Sequence, residues 1–435
     1  VEPLQPAGGL PAPRQPRRRG GGSGTGAHRA AEAPEPWPAP RATGAVDAVV
    51  PVPGSKSMTA RALVLAAISV GTSTLRAPLV NRDTGLIAFG LRAMGTYVST
   101  VDPELWLVRP RPLRGPAQVD VVGAGTALRF LAPVAGLAAG PVTFNGDDRA
   151  KGGALAELAA VLGRLGVRAE RSGGDLPLTV HGVGRVPGGD VAIDASASSQ
   201  LVSGLLLAGS DFDHGLVLRH DGPPLPAAPH VDLTVAMLRA GGAGVDDGTP
   251  NVWEIEPGRL LGRGWHIEPD LAGAAPFLAA AVVTGGRVTV PGWPQRSPQP
   301  TTALLKLLTG FGASCGYGPD GLTVRGGGRV CGIDADLAAA GDLLPVTAAV
   351  CALADGPSRL RGLTALRGGP VDRVSALVGA LGTLGVAVTE ETDSLAIRPG
   401  PRHGGVLDTS ADRRLAPAGA VLGLAVDGVQ LTDVA

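Results

Sequence analysis

The stretch LGTLGVAVTEETDSLAIRPG at residues 381–400 holds one structural sentence: an apolar helix end closed by Gly385, a strand in VAV, a turn of Thr, Glu and Asp, and a second strand in LAI. Gly suits the position after a helix because a left-handed backbone there carries no Cβ penalty, and the alternating apolar residues mark half-buried strands. The sentence recurs as LRAMGTYVST (91–100), LGRLGVRAERSGGDLPLTVHG (162–182), MLRAGGAGVDDGTPNVWEIEPG (237–258) and LLTGFGASCGYGPDGLTVRGG (307–327). Its glycines, Gly95, Gly166, Gly242, Gly312 and Gly385, lie 71, 76, 70 and 73 residues apart, so the 435 residues divide into six. The period predicts a βαβαββ-like module, with five visible copies and a composite sixth made from both chain ends. Two domains of three modules would leave a groove between them, where ligands favour binding.

Composition narrows the function. Lys plus Arg equals Asp plus Glu at 38 each, which removes the net charge that drives nonspecific adhesion to nucleic acid or acidic membrane. Aromatics make 3% of the chain, too few for a single-strand base stacker. Cys315, Cys331 and Cys351 are widely spaced and match no disulfide or zinc pattern, which fits a reducing cytoplasm. No apolar run reaches the roughly 18 to 20 residues that span a bilayer, so a soluble protein is expected; a monomer with no nucleic-acid or membrane partner is the accompanying expectation. Residues 1–34 are rich in Pro, Gly, Ala and Arg and poor in large apolar side chains, which predicts a disordered tail.

Between the repeat cores, small polar residues lead directly into apolar helices. In VPGSKSMTARALVLAAISVG (52–71), Ser57 is placed to cap a helix and Lys56 and Arg61 flank its start. Unpaired amides, the helix dipole and two cations there favour a phosphate or carboxylate. VVGAGTALRFLAPVAGLAAG (121–140) lets a backbone approach at Gly123 and Gly125, starts a helix at Thr126 and carries Arg129 one turn inside. DASASSQLVSGLLLAG (194–209) offers Ser198 and Ser199 as caps and Gln200 as a neutral donor and acceptor. AGDLLPVTAAVCALADG (340–356) puts Asp342 at a cap position and Pro345 in the first turn. Two late segments pair Asp with Arg: Asp372 with Arg367 and Arg373, and Asp412 with Arg413 and Arg414. Arg presents a planar fork suited to carboxylate or phosphate, while for Arg413 a surface ion pair is the expected reading.

The marks GSKSMTAR, AGTALR, GDDRAKGG, SASSQL, PHVDLTVAMLRAGG, GDLLPV, VDR and ADRRLA, in that order over about residues 36–435, resemble the 5-enolpyruvylshikimate-3-phosphate synthase family. The resemblance implies an α/β fold, the two-domain inside-out barrel of six repeated βαβαββ modules. It implies domain I at 35–55 and 266–435 and domain II at 56–265. The implied reaction moves the enolpyruvyl (1-carboxyvinyl) group of phosphoenolpyruvate to the 5-hydroxyl of 3-phosphoshikimate, with no metal and no cofactor. Carried over by residue, Lys56 and Asp342 are catalytic. Lys56, Ser57, Arg61, Ser198, Ser199, Gln200 and Asp342 meet 3-phosphoshikimate, and Lys56, Gly125, Arg149, Gln200, Arg373 and Arg414 meet phosphoenolpyruvate.

Some positions depart from the family pattern. Gly153 stands where an arginine is usual, Ala227 where a serine is usual, and Gly369, Pro370 and Val371 replace a basic or His residue, Glu and Thr. The resemblance therefore implies weaker phosphate binding and the loss of one proton-transfer carboxylate. The chain stops at GVQLTDVA, ahead of the family's closing Thr-Lys-Thr-Phe-Pro segment. The alternative activity class is a paralogue that only binds anionic metabolites. The sister transferase acting on UDP-N-acetylglucosamine fits less, because Ser57 rather than Asn follows Lys56 and every Cys falls after residue 310.

Overall fold

A computed structural model of the chain describes residues 35–146, 154–172, 174, 176–367, 372–409 and 412–434. The tail expected at 1–34 lies outside the described residues. Eleven helices are seen among these: α1 (Lys56–Ile68), α2 (Arg82–Ala93), α3 (Gly125–Ala135), α4 (Ala154–Arg164), α5 (Ser199–Gly209), α6 (Pro229–Gly241), α7 (Leu271–Thr284), α8 (Thr301–Gly310), α9 (Leu344–Leu353), α10 (Arg373–Gly382) and α11 (Leu415–Gly423).

Among the described residues six small sheets share one pattern, complete within a continuous stretch of chain in three of them. In those three a first strand pairs parallel with a second across a helix, as Ala117–Asp120 does with Ala139–Asn145 across α3. The second strand then pairs antiparallel with the last strand, here Leu178–Val183, whose hairpin partner Arg168–Arg171 closes the sheet. The repeated glycines do what the sequence predicts. All five have φ between 77° and 100°. After each one, the next residue donates to the carbonyl five positions back: Thr96 to Leu91, Val167 to Leu162, Ala243 to Leu238, Ala313 to Leu308 and Val386 to Leu381.

The composite sixth module is also present. Gly405–Leu407, α11 and Val429–Leu431 form its start, and the N-terminal Trp37–Pro38 pairs antiparallel with Val429–Leu431. Two further modules exchange first strands across the middle of the chain, a feature the period does not reveal. Gly264–His266 pairs with Ser73–Arg76, and Asp47–Val49 pairs with Arg287–Val290.

Helices lie inside and sheets outside. The first helices of three modules, α1, α3 and α5, pack on one another, and so do α7, α9 and α11. These helices are apolar on nearly every side, as burial on all faces requires. In α1 every residue from Met58 to Ile68 is buried, including Thr59 and Arg61. Removing each large aliphatic side chain from water contributes about 1.5 to 3 kcal/mol. The buried residues fall into two separate cores, one from Met58 to Ile267 and one from Leu271 to Leu431. The chain passes between them twice, at 53–55 and 268–270, where the two passages hydrogen-bond: the Ser55 N–H donates to Glu268 O and the Asp270 N–H to Pro53 O. No described helix is long and apolar enough to cross a membrane.

Candidate active site

The starts of α1, α6, α7 and α11 and the turn before α9 line two adjoining cavities between the two cores, the starts of α1, α2, α3, α5 and α6 line a third on the side of the first core, and Ser57 faces all three. The chamber bounded by Ser57, His230, Asp270 and Asp342 has a cavity volume of about 80 Å³.

On the side of α1, Lys56 occupies the first helical position. Ser55, not Ser57, is the cap, its Oγ accepting from the Met58 N–H, so Ser57 lies inside the first turn. The sequence offers two serines around Lys56, and the passage between the cores decides. Ser55 is held by Glu268, while Asp270 caps α7 and also accepts the Lys56 N–H at 3.3 Å. Nζ of Lys56 lies 3.0 Å from Asp83 Oδ2 in the first turn of α2. Asp83 and Asp270 are site residues the sequence reading missed.

Arg61 is buried and joins three helices. It donates to Thr234 Oγ1 (2.7 Å), Ser57 O (2.9 Å), His230 O (2.8 Å) and Ser203 Oγ (3.2 Å), with the Phe130 ring 5.2 Å from its guanidinium carbon. Burial pulls its pKa down to about 9. Among the described residues no carboxylate pairs with it, and its partners leave one N–H for a ligand. A buried cation among neutral groups favours an anion in the adjacent cavity.

Beside it, α3 and α5 present Arg129 and Gln200. Arg129 donates to Gln200 Oε1 at 3.1 Å, and Gln200 Nε2 donates to Thr126 Oγ1 at 3.0 Å. Burial lowers the Arg129 pKa too, and its Nε is buried without a partner among the described residues. α3 begins at Gly125, not Thr126, and Ala124 gives its amides no side-chain cap. A Cβ on Gly125 would run into the Arg129 guanidinium, so glycine there makes room for the cation. Ser198 caps α5 by accepting from the Gln200 N–H, whereas Ser199 is a buried first-turn residue. Neither serine lines the cavities described above.

The opposite wall is built on Asp342. It caps nothing, contrary to the sequence expectation: it sits in a short 3₁₀ turn, Gly341–Leu343, and its side chain meets cations. Oδ1 lies 2.8 Å from Arg414 and 3.6 Å from Arg373, and Oδ2 lies 3.6 Å from His230 Nε2 of α6. Burial disfavours the charged carboxylate, but His230, Arg414 and Arg373 together hold Asp342 well below the usual carboxylate range. Arg373, whose helix is capped by Asp372, also donates to Asp412 at 2.8 Å. Asp412 is almost fully buried and accepts the Arg414 N–H, so it fixes both arginines. Arg367 instead pairs with Asp372 and Glu390, and Arg413 stays exposed.

Thus Lys56, Ser57, Arg61, Gln200, Asp342 and Arg414 line connected cavities, with Arg373 behind Asp342. Arg149 lies outside the described residues, as do Gly153, Gly369 and Pro370. Ala227 lines the cleft with a left-handed φ of 51°. Among the described residues no group of three His, Cys, Asp or Glu is placed to hold a metal ion. Asp83, His230 and Asp270 come from distant segments and were given no role beforehand, whereas Asp412 was marked as an arginine partner by its place beside Arg414.

Residues 40–435 match the EPSP synthase (3-phosphoshikimate 1-carboxyvinyltransferase) family. Among solved structures, an EPSP synthase from Acinetobacter baumannii superposes with a TM-score of 0.78 at 22% identity, covering 92% of this chain and 94% of that one. The enolpyruvyl transferase NikO from Streptomyces tendae gives 0.68 at 20% identity, covering 92% and 93%. At these identities the likeness is one of fold.

Proposed function

Because the chain belongs to the EPSP synthase family, we propose that its cleft transfers the 1-carboxyvinyl group of phosphoenolpyruvate to the 5-hydroxyl of 3-phosphoshikimate, releasing phosphate. One observation supports the assignment of roles. Lys56, Arg61 and Gln200 line a cavity that adjoins, at Lys56 and Ser57, the one lined by Asp342 and Arg414 of the other core, and Arg129 and Arg373 contact Gln200 and Asp342.

Two polyanions must lie side by side for the new bond to form, and in water they repel. Fixed cations in a site of restricted solvent offset that repulsion and orient both partners, which replaces a bimolecular encounter by a positioned one. Arg373 and Arg414, held rigid by Asp412, suit the phosphoenolpyruvate carboxylate and phosphate. Arg129 with the open amides of α3 supports the same ligand from the other side. Lys56 sits between the two substrates, kept in place by Asp83. Asp342, kept charged by its arginines, receives the 5-hydroxyl and accepts its proton.

The test is release of inorganic phosphate by the purified chain. Release that requires both substrates, and that falls about 10²-fold or more in Lys56→Ala, is the expected result. Release equal to that of the Lys56→Ala control would defeat the reading.

A further inference from the structure

We propose that His230 is a positioning residue for Asp342: it reaches across the cleft to that carboxylate and holds the proton that Asp342 takes from the acceptor hydroxyl. The proposal rests on the functional reading above and adds a residue to it.

Geometry comes first. His230 lies in the first turn of α6, and Nε2 is 3.6 Å from Asp342 Oδ2, which belongs to the other core. Its ring is partly buried where two cavities meet, so both Asp342 and the space beside Lys56 are within its reach. Its backbone is fixed independently, since the His230 carbonyl accepts from Arg61, Ser203 and Thr234. The imidazole is therefore aimed by α6 while staying free to change its proton.

Chemistry then gives it a task. Asp342 faces Arg373 and Arg414 and is a weak base, able to pass a proton on but a poor place to keep one. The groups facing His230 are Arg61, Lys56 and Asp83 from α1 and α2, Asp270 from the passage between the cores, and Asp342 with its two arginines. Among these side chains imidazole alone ordinarily exchanges protons near neutral pH.

The balance is complete. The acceptor O–H gives its proton to Asp342 and thence to neutral His230, while the oxygen pair bonds to the enol carbon. The C=C pair takes a proton at the methylene carbon from the Lys56 ammonium. In the second half that proton returns to Lys56, the double bond reforms, the C–O bond to phosphate breaks, and the departing phosphate takes the proton from His230 through Asp342.

The test measures kcat for phosphate release against pH in the unsubstituted chain, His230→Gln and His230→Ala. The unsubstituted chain should lose activity as pH falls, because an acceptor that already carries a proton cannot take the hydroxyl's. In His230→Gln kcat should fall about 10²-fold and the acid limb should vanish, with little change in the KM for phosphoenolpyruvate. Free imidazole should restore part of the rate to His230→Ala. A purely structural role would leave the limb in place and give no rescue, which overturns the proposal. Absence of phosphate release from the unsubstituted chain would overturn the functional reading and this proposal with it. Should the variants fail to fold, ¹⁵N-histidine NMR of the intact chain decides: the His230 titration must move when 3-phosphoshikimate occupies the cleft, and an unmoved titration refutes the contact.

Discussion

Replacing Asp342 by Asn should lower kcat for phosphate release by about 10³-fold while leaving the KM for phosphoenolpyruvate unchanged or smaller. The two halves of this expectation have separate causes. Asn has nearly the shape of Asp but cannot take a proton, so the step that activates the 5-hydroxyl loses its base. Arg414 and Arg373, at 2.8 and 3.6 Å from Asp342, lose a carboxylate that competes with the substrate anion and should hold that anion at least as well. Stability should respond in the opposite direction to binding. Because the folded Asp342 carboxyl lies below its unfolded range, its contribution is present above about pH 4 and lost as pH falls through the folded value. Thermal unfolding should therefore find the variant less stable than its parent at pH 7, with the gap closing in acid. A variant with unchanged kcat, or a gap that widens in acid, would remove Asp342 from the role given to it.

The second large effect concerns packing. Gly204 lies inside α5 and against α3, and a Cβ there would overlap the Arg129 carbonyl oxygen. Helix propensity alone makes Gly204→Ala stabilising by about 1 kcal/mol. The overlap is with backbone, which cannot swing away, so overpacking should win, with a net loss of about 2 kcal/mol and a melting temperature lower by several degrees. The same displacement would disturb Arg129 and Gln200, which face each other one turn away. A melting temperature equal to or above that of the parent would show that the two helices can move apart at little cost.

How much of this was readable beforehand depends on the range of each interaction. The module was legible because its signals are local: a glycine after the helix and alternation in the strands sit within a dozen residues, and every one of the five glycines took the predicted backbone. That Lys56, Gln200 and Arg414 stand at helix starts was legible because the capping and apolar patterns that mark such starts are local. The cap of α1 was misread by two residues. The deciding partners, Glu268 and Asp270, arrive from the far side of the chain and no pattern near Lys56 announces them. The local pattern around Asp342 reads only as a helix cap for the same reason, since Arg373, Arg414 and His230 reach it through folding; its catalytic role came from the family resemblance alone. Asp412 shows the limit most plainly. Its neighbours in sequence suggest a surface pair with arginine, yet it is buried and anchors two cations at once.

Calorimetric titration with 3-phosphoshikimate reaches the shared basis of these expectations, that positive groups and helix starts from both cores serve one cleft. The chain should bind one equivalent, more weakly as salt rises, and Lys56→Ala and Arg61→Ala should each weaken binding by about tenfold or more. Heat-silent titrations, or affinity indifferent to salt and to both substitutions, would contradict it.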